Sequence, residues 1–179
     1  MILVYQDEVH FQIQTTVTSA WYKKGSAPTV KSFPGRQKTS YSSFVIPETG
    51  ELFVATPETF NYTTTIASIR AFLAAHPLPS GKKYALVMDN APWHQKTKRL
   101  IADEHLEEYS DISECVEFIK LPPYSPDLNP VEQVWRITRK ENTHNVFFES
   151  LSKLKTAVDA AFHAWSTPND QLRTLCSFG

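Results

Sequence analysis

The sequence predicts an α/β fold in which a mixed central sheet of about five strands is flanked by helices. Two observations lead to this prediction. Strand-like segments, either alternating or short and apolar, lie at residues 2–13, 41–46, 51–55, 84–88 and 116–121. Segments with helical periodicity lie between the third and fourth strand segments, between the fourth and fifth, and after the fifth. An opening run of strands followed by alternating helices and strands is typical of a mixed sheet covered by helices.

The first strand segment places one acidic side chain on an apolar face. From position 5 to position 13 the odd-numbered residues share a face, and all of them except Asp7 are aromatic or aliphatic. The neighbouring Glu8 points to the opposite face, together with Gln6 and His10. An ionised carboxylate on an apolar face is costly unless a cation pairs with it. We therefore favour Asp7 over Glu8 as a metal ligand.

The remaining elements follow from turn and periodicity signals. The tetrapeptide Pro47-Glu-Thr-Gly50 supplies turn chemistry for a hairpin between the second and third strands. Helical periodicity predicts helices at 63–75, 95–109, 130–141 and 150–165. We assign the apolar stripe of the last helix to core packing alone.

Composition and charge restrict the classes of protein to which the chain can belong. The 179 residues suit one domain, 1–179, and 41% of them are hydrophobic, as in ordinary soluble proteins. No apolar run approaches the ~20 residues that a membrane-spanning helix needs, and the first residues lack the basic leader of a signal peptide. Cys115 and Cys176 lack metal-ligand spacing and fit reduced thiols in the cytosol. A net charge of −1 disfavours nucleic-acid binding through bulk electrostatics alone.

Positive charge is nevertheless concentrated in three groups. They lie at residues 23–38, 96–99 and 136–140, whereas acidic residues concentrate at 103–117. Each basic group is compatible with a solvated face or with a DNA-binding surface. A basic surface can therefore coexist with a nearly neutral total charge.

Two further acidic residues have both a chemical and a structural interpretation. Asp89 follows the strand segment 84–88 directly, and open α/β sheets bind ligands at the carboxyl ends of their strands. The alternative for Asp89 is a cap or turn at the strand end. In Asn129-Pro-Val-Glu132 the spacing suits a capping box, with Asn129 as the N-cap and Glu132 bonding backbone donors. From spacing alone, capping is the favoured role of Glu132.

Two longer motifs surround these acids. They are Asp89-Asn-Ala-Pro-Trp-His94 and Tyr124-Ser-Pro-Asp-Leu-Asn-Pro-Val-Glu132, the second followed by Trp135. Both resemble the DDE transposases of the mariner-like superfamily, and their bacterial insertion-sequence relatives in particular. The stretch Trp21-Tyr-Lys-Lys-Gly25 is similar to a tryptophan-to-glycine stretch of that family, and the resemblance covers about residues 3 to 165. It implies a ribonuclease H-like fold, whose element order agrees with the one above, and catalytic acids at Asp7, Asp89 and Glu132.

The resemblance also implies a reaction, a cofactor and partners. A transposase of this kind cleaves DNA at the transposon ends and joins them to target DNA at a TA dinucleotide. Carboxylate oxygens favour Mg²⁺ or Mn²⁺, and two such ions would activate water and stabilise the leaving oxygen. We hypothesise that Asp7 bridges both ions, Asp89 holds one and Glu132 holds the other. A homodimer on DNA, no membrane partner and a prokaryotic, nucleoid-associated cytoplasmic location are further expectations.

Two features depart from the family pattern. The 42 residues between Asp89 and Glu132 are more than is usual, and we place the extra length in the acidic stretch 104–117. The helix-turn-helix region with which full-length relatives recognise transposon ends is expected to be absent from this chain. Two other functions stay open: a ribonuclease H-like nuclease without strand transfer, and a domesticated, non-catalytic DNA-binding or dimerisation module.

Several residues near the motifs have less specific interpretations. Glu8, Lys24 and Arg136 are candidates for DNA contact or for supporting the acids. Trp21 either stacks on an unpaired base or serves in a core or interface.

The second half of the chain adds four more residues of this kind. Asn90 orients Asp89 or the substrate. His94 contacts DNA or a metal ion in one interpretation and is structural in the favoured one. Asp127 is interpreted as a turn former, and Trp135 as a core residue.

Overall fold

A mixed five-stranded sheet forms the centre of the computed structural model, which describes residues 1–26, 28–122, 125 and 128–176. Its strands are β1 (Ile2–Gln12), β2 (Lys38–Ile46), β3 (Glu51–Ala55), β4 (Tyr84–Met88) and β5 (Val116–Lys120). They lie in the order β3-β2-β1-β4-β5 across the sheet. β2 is antiparallel to both β1 and β3, whereas β4 is parallel to both β1 and β5. The predicted mixed sheet is confirmed.

Helices cover both faces of this sheet. They are α1 (Tyr62–Ala75), α2 (Pro92–Ile101), α3 (Ser110–Ser113), α4 (Val131–Thr138), α5 (Leu151–His163) and α6 (Asp170–Leu175). A short 3-10 turn (Glu107–Tyr109) precedes α3, and a π turn (Arg139–Thr143) continues α4. Within the described residues, none of these helices combines the length and the apolar character needed to cross a lipid bilayer.

Two hydrophobic cores lie on opposite faces of the sheet. Tyr5 and Val9 of β1 belong to the core that α4 and α5 cover, where they join Trp135 and Phe162. Val4 points the other way, into the core beneath α1 and α2. β4 is buried along its whole length because helices cover both of its faces, and this explains its uninterrupted apolar sequence.

The hairpin between β2 and β3 turns at Pro47–Gly50, as predicted, and this turn also anchors α6. Gly50 has a φ of +69°, which glycine adopts without strain. A Cβ atom here would lie 2.1 Å from the carbonyl oxygen of Asn169 and 2.7 Å from the backbone nitrogen of Arg173. The Asn169 N–H donates to the carbonyl oxygen of Thr49 at 3.1 Å. The turn and the start of α6 are therefore in direct backbone contact.

The predicted helix at 95–109 has the wrong bounds. α2 begins earlier, at Pro92, whose fixed φ suits the first turn of a helix, and it ends at Ile101. Asp103 then forms a turn, in which its side chain accepts a hydrogen bond from the His105 N–H and its carbonyl accepts one from the Leu106 N–H. The helix predicted at 130–141 is also shorter than expected, because the π turn follows Thr138.

Candidate active site

Strand register brings Asp7 and Asp89 side by side. Tyr5 of β1 is paired with Val87 of the parallel strand β4. Asp7 and Asp89 each lie two residues further along, and Asp89 immediately follows the last residue of β4. Adjacent strands are about 4.8 Å apart, and residues two apart point to the same face. Asp7 and Asp89 therefore occupy neighbouring backbone positions at the point where β4 ends.

The third acid belongs to α4, which packs against the face of the sheet to which Asp7 points. Glu132 lies in the first turn of α4. Trp135, one turn later, is 2% exposed and donates its indole N–H to Oδ2 of Asp7 at 3.4 Å. The negative charge of Glu132 is one of the causes that raise the pKa of Asp7. α4 therefore brings Glu132 within electrostatic range of Asp7.

The capping-box interpretation of Glu132 is not realised in this structure. The side chain of Asn129 does cap the helix, because its Oδ1 accepts a hydrogen bond from the Val131 N–H at 3.2 Å. Among the described residues, however, no reciprocal bond joins the Glu132 side chain to the backbone at the start of α4. Glu132 is exposed to solvent and available for a ligand.

Asp7 is a half-buried carboxylate in an unfavourable environment. Its pKa is raised from the ordinary 3.8 to about 7, first by burial and then by the negative charges of Glu132 and Asp89. Two hydrogen bonds act in the opposite direction. Oδ1 accepts one from the Glu8 N–H at 2.8 Å, and Oδ2 accepts the one from Trp135. A cation nearby would relieve the repulsion, because it favours the charged form of the carboxyl group.

Asp89 stays ionised because two donors bind one of its oxygens. Oδ1 lies 2.5 Å from Nδ1 of His94 and accepts a hydrogen bond from the Ala91 N–H at 2.9 Å. The bond with His94 is the main reason that the pKa of Asp89 lies below its ordinary value. The bond with Ala91 is the turn cap that the sequence offered as the alternative role. Asp89 therefore combines a local capping bond with a side chain that is 53% exposed.

His94 connects Asp89 to Glu8, the second acid of β1. The His94 ring is 1% exposed, and its Nε2 lies 3.1 Å from Oε1 of Glu8. Burial lowers the pKa of His94, but its hydrogen bonds with the two carboxylates and their charges outweigh burial and raise the pKa to about 9. The ring is therefore an imidazolium that donates from both nitrogens. This burial agrees with the favoured structural interpretation of His94 and leaves the ring no direct access to DNA.

Glu8 points away from Asp7, as strand alternation predicted, and its side chain is 6% exposed. The indole N–H of Trp93 donates to its Oε2 at 2.9 Å. Burial excludes Glu8 from contact with DNA and leaves the supporting role predicted for it. Sequence reasoning did not identify Trp93 as a partner, although Trp93 and His94 are consecutive in the first turn of α2.

Asn90 and Arg136 make contacts that the sequence did not predict. Nδ2 of Asn90 donates to the carbonyl oxygen of Leu121 at 3.0 Å, so Asn90 ties the ends of β4 and β5 together. In the part of the chain that the structure describes, its side chain makes no hydrogen bond to Asp89, and a role in orienting the substrate stays a prediction. Arg136 is exposed on α4, where its guanidinium donates to the side-chain oxygen of Gln133.

Trp21 and Lys24 lie in the long connection between β1 and β2. Both are exposed to solvent, and the side chain of Trp21 is 103% exposed. A core role for Trp21 is therefore wrong, and base stacking or an interface remains. Asp127, interpreted as a turn former, lies outside the described residues.

The donor chemistry of this site suits a hard divalent cation. Carboxylate oxygens are the ligands that Mg²⁺ and Mn²⁺ prefer, and the negative charges of Glu132 and Asp89 add to burial in raising the pKa of Asp7. Among the described residues, no three His, Cys, Asp or Glu side chains are close enough together to hold one ion. Asp89 is held by His94 and Ala91, whereas Glu132 is exposed on the first turn of α4, so ion binding requires the Glu132 side chain to rotate toward Asp7.

Comparison with known proteins gives a family. The sequence model described as DDE superfamily endonuclease matches residues 2–155, which is most of the chain. An uncharacterised protein of Sinorhizobium fredii (strain NBRC 101917 / NGR234), y4pE/y4sA, is 31% identical over 99 residues, which are 55% of this chain and 63% of that protein.

Solved structures give the fold. The Mos1 mariner paired end complex with Mn has a TM-score of 0.64 at 19% identity, over 97% of this chain and 52% of that one. The Mos1 strand transfer complex has a TM-score of 0.62 at 20% identity, over 96% of this chain and 49% of that one. The fold is ribonuclease H-like, as predicted. The chain spans about half the length of these transposase chains.

Proposed function

The chain belongs to the DDE superfamily endonucleases, and we propose that it is the catalytic domain of a DNA transposase. It cleaves DNA at transposon ends and joins the released 3′-hydroxyl to target DNA, with a TA dinucleotide as the expected target. The observation that carries this proposal is the register of β1 and β4, which sets Asp7 beside Asp89. α4 adds Glu132 within electrostatic range of Asp7.

The proposed metal ligands are these three acids. Two Mg²⁺ or Mn²⁺ ions, when bound, would supply an activated water and stabilise the leaving oxygen. Asp7 is the acid best suited to serve both ions. It is the most buried of the three acids, and the charges of the other two contribute to its raised pKa. Asp89 and Glu132 each present an exposed carboxylate toward solvent, where the phosphodiester must approach. The backbone and Trp135 bonds to Asp7 hold its carboxylate in a fixed orientation.

Structures of similar fold support the choice of reaction and cofactor. The Mos1 transposase has been crystallised as a paired end complex with Mn and as a strand transfer complex. By analogy we propose DNA as the substrate of this chain and a homodimer as its working form on DNA. The net charge of −1 is consistent with a chain that relies on other protein segments for tight DNA binding.

Plasmid nicking in Mn²⁺ tests the catalytic assignment. We expect the wild-type chain to nick supercoiled plasmid in Mn²⁺, and Asp7→Asn, Asp89→Asn and Glu132→Gln each to reduce the rate at least about 100-fold, because each removes a carboxylate that stabilises the transition state. Asp111→Asn is the matched control, since Asp111 pairs with Arg70 on the surface. Full activity in any of the three site variants would contradict the proposal.

A strand-transfer assay separates the proposal from a nuclease that only hydrolyses DNA. The donor is a duplex with a pre-cleaved 3′-hydroxyl, taken from the DNA that flanks the coding sequence, and the target is a plasmid rich in TA. Covalent joining of the donor to the plasmid is expected. Nicking of DNA without joining would instead support the nuclease.

A further inference from the structure

An ion-paired chain of three side chains runs from Asp89 into the interior of the protein. His94 lies between two carboxylates, with Nδ1 2.5 Å from Asp89 Oδ1 and Nε2 3.1 Å from Glu8 Oε1. Asp89 is more than half exposed, whereas His94 and Glu8 are almost entirely buried. These three ion-paired side chains therefore connect Asp89, an exposed acid of the candidate site, to Glu8, a buried acid that cannot reach substrate.

Glu8, the buried end of this group of three side chains, is held on several sides. Oε2 of Glu8 accepts from the indole N–H of Trp93 at 2.9 Å. Oε1 is also within 3.4 Å of Nε2 of Gln6, which in turn donates to the hydroxyl of Ser42 at 3.0 Å. Because Trp93 and His94 both belong to the first turn of α2, the start of that helix is bonded to β1 twice. The imidazole ring therefore has little freedom to rotate.

The bonds of these side chains leave one oxygen of Asp89 for a ligand. A single imidazole ring lies between two carboxylates, with one ring nitrogen bonded to each. The bonds from His94 and Ala91 both fall on Oδ1, so Oδ2 is the oxygen that they leave unbonded.

We propose that His94 and Glu8 are positioning residues that fix the carboxylate of Asp89, so that Oδ2 is presented to the metal ion in one orientation. This inference rests on the proposed function, in which Asp89 is a metal ligand. Partners behind a metal ligand set its orientation and charge, and their loss typically weakens metal binding or activity about 10–100-fold. A role that is only structural would instead hold α2 against β1 without affecting the metal.

Manganese affinity distinguishes these two roles. We would titrate the whole chain with Mn²⁺, follow free Mn²⁺ by electron paramagnetic resonance, and measure plasmid nicking and metal-free thermal unfolding on the same variants. His94→Ala removes both bonds of the ring, whereas Glu8→Gln keeps the size of the side chain and removes its charge. His76→Ala is the matched control, because the His76 ring stacks on Phe72 in the same core and does not contact the site.

We expect His94→Ala and Glu8→Gln to raise the half-saturating Mn²⁺ concentration about 10–100-fold. The nicking rate should recover substantially at saturating Mn²⁺, because the ligand itself is still present. The double variant should be little worse than either single variant, since the two residues act through one chain of bonds. His76→Ala should leave the half-saturating concentration unchanged.

Two results would overturn the inference, and a third bears on the proposed function instead. An unchanged Mn²⁺ affinity in Glu8→Gln and His94→Ala, with only a lower melting temperature, would show a structural role. If His94→Ala does not fold, Glu8→Gln alone decides, and unchanged affinity in that variant overturns the inference. If Asp89→Asn binds Mn²⁺ as the wild type does, Asp89 is not a ligand and the metal site itself is wrongly assigned.

Discussion

The indole N–H of Trp135 lies 3.4 Å from Oδ2 of Asp7, so α4 is hydrogen-bonded to β1 at the proposed catalytic carboxylate. The adjacent acid shows a parallel relationship on the other face, where the indole of Trp93 donates to Glu8. Two consecutive acids of one strand are thus each held by a tryptophan from a different helix. Each tryptophan lies close in sequence to another residue of the site, Glu132 or His94.

Replacing Trp135 by Phe should raise the pKa of Asp7 and destabilise the protein. The indole hydrogen bond is one of the two that lower the pKa of Asp7, and phenylalanine cannot donate one. The lost hydrogen bond and ring atoms should lower the free energy of unfolding by about 1–3 kcal/mol. Urea denaturation measures the stability, and carboxyl carbon NMR of the metal-free protein measures the pKa.

Trp165→Phe is the control for this change. Trp165 is buried in the same core at 8% exposure, and no hydrogen bond joins it to Asp7 in the described structure. The Trp165→Phe variant should be less stable than the wild type, with no change in the pKa of Asp7. The same pKa for Asp7 in both variants would show that the indole bond does not contribute.

The stability of the metal-free protein should fall as the pH rises from about 4 to 7. The pKa of Asp7 is about 7 in the folded protein and 3.8 in its ordinary state. The folded protein therefore holds a proton that the unfolded chain has released, and this contribution is complete below pH 3.8 and lost as the pH rises through about 7. Asp7→Asn removes the titrating group, so its stability should depend less on pH over this interval.

Urea denaturation in the presence of a chelator, at pH 5 and at pH 7, checks this prediction. His94 also has a raised pKa, but its contribution is lost over a higher interval, from 6.5 to about 9. The difference between wild type and Asp7→Asn therefore isolates Asp7. Equal pH dependence in the two proteins would mean that the pKa of Asp7 is not raised.

Two acids of the proposed site, Asp7 and Asp89, could be singled out by sequence reasoning because each is marked locally. Asp7 interrupts an apolar strand face, and Asp89 ends an apolar run, so simple alternation and strand-end rules apply to both. Glu132 was different, because its spacing favoured a capping box, and only the resemblance indicated a catalytic role. The central sheet could also be predicted from local patterns, because strand alternation and turn residues are recognisable within short segments.

The contacts that hold the acids could not be predicted in this way. Glu8 and His94 are 86 residues apart, and Asp7 and Trp135 are 128 apart. Periodicity can place Trp135 on the same helix as Glu132, but it cannot show that the indole N–H faces a carboxylate. α6 was missed because six residues carry too little periodicity, and its position depends on backbone contacts with the hairpin turn.

The two cysteines should differ sharply in their reaction with a thiol reagent. Cys176 is 2% exposed and burial raises its pKa to about 11, whereas Cys115 is only partly buried. Because the thiolate is the reactive form, Cys176 should react only when the end of the chain detaches from the core. Ellman's reagent under native conditions should therefore show one faster and one much slower thiol. Cys115→Ser should remove the faster phase, and loss of the slower phase instead would contradict the assignment.

Replacing Gly50 by Ala should destabilise the protein more than replacing Gly81 by Ala. Both glycines have positive φ, +69° and +76°, so alanine is strained by about 1–2 kcal/mol at either position. At Gly81 a Cβ atom would meet nothing within 4 Å, whereas at Gly50 it would lie 2.1 Å from the backbone oxygen of Asn169. The start of α6 must therefore move in Gly50→Ala. This movement should also expose Cys176, which lies at the end of that helix. We expect a larger loss in the free energy of unfolding, by urea denaturation, and a faster reaction of Cys176 with Ellman's reagent. Equal stability of the two variants would show that the hairpin turn does not hold α6 in place.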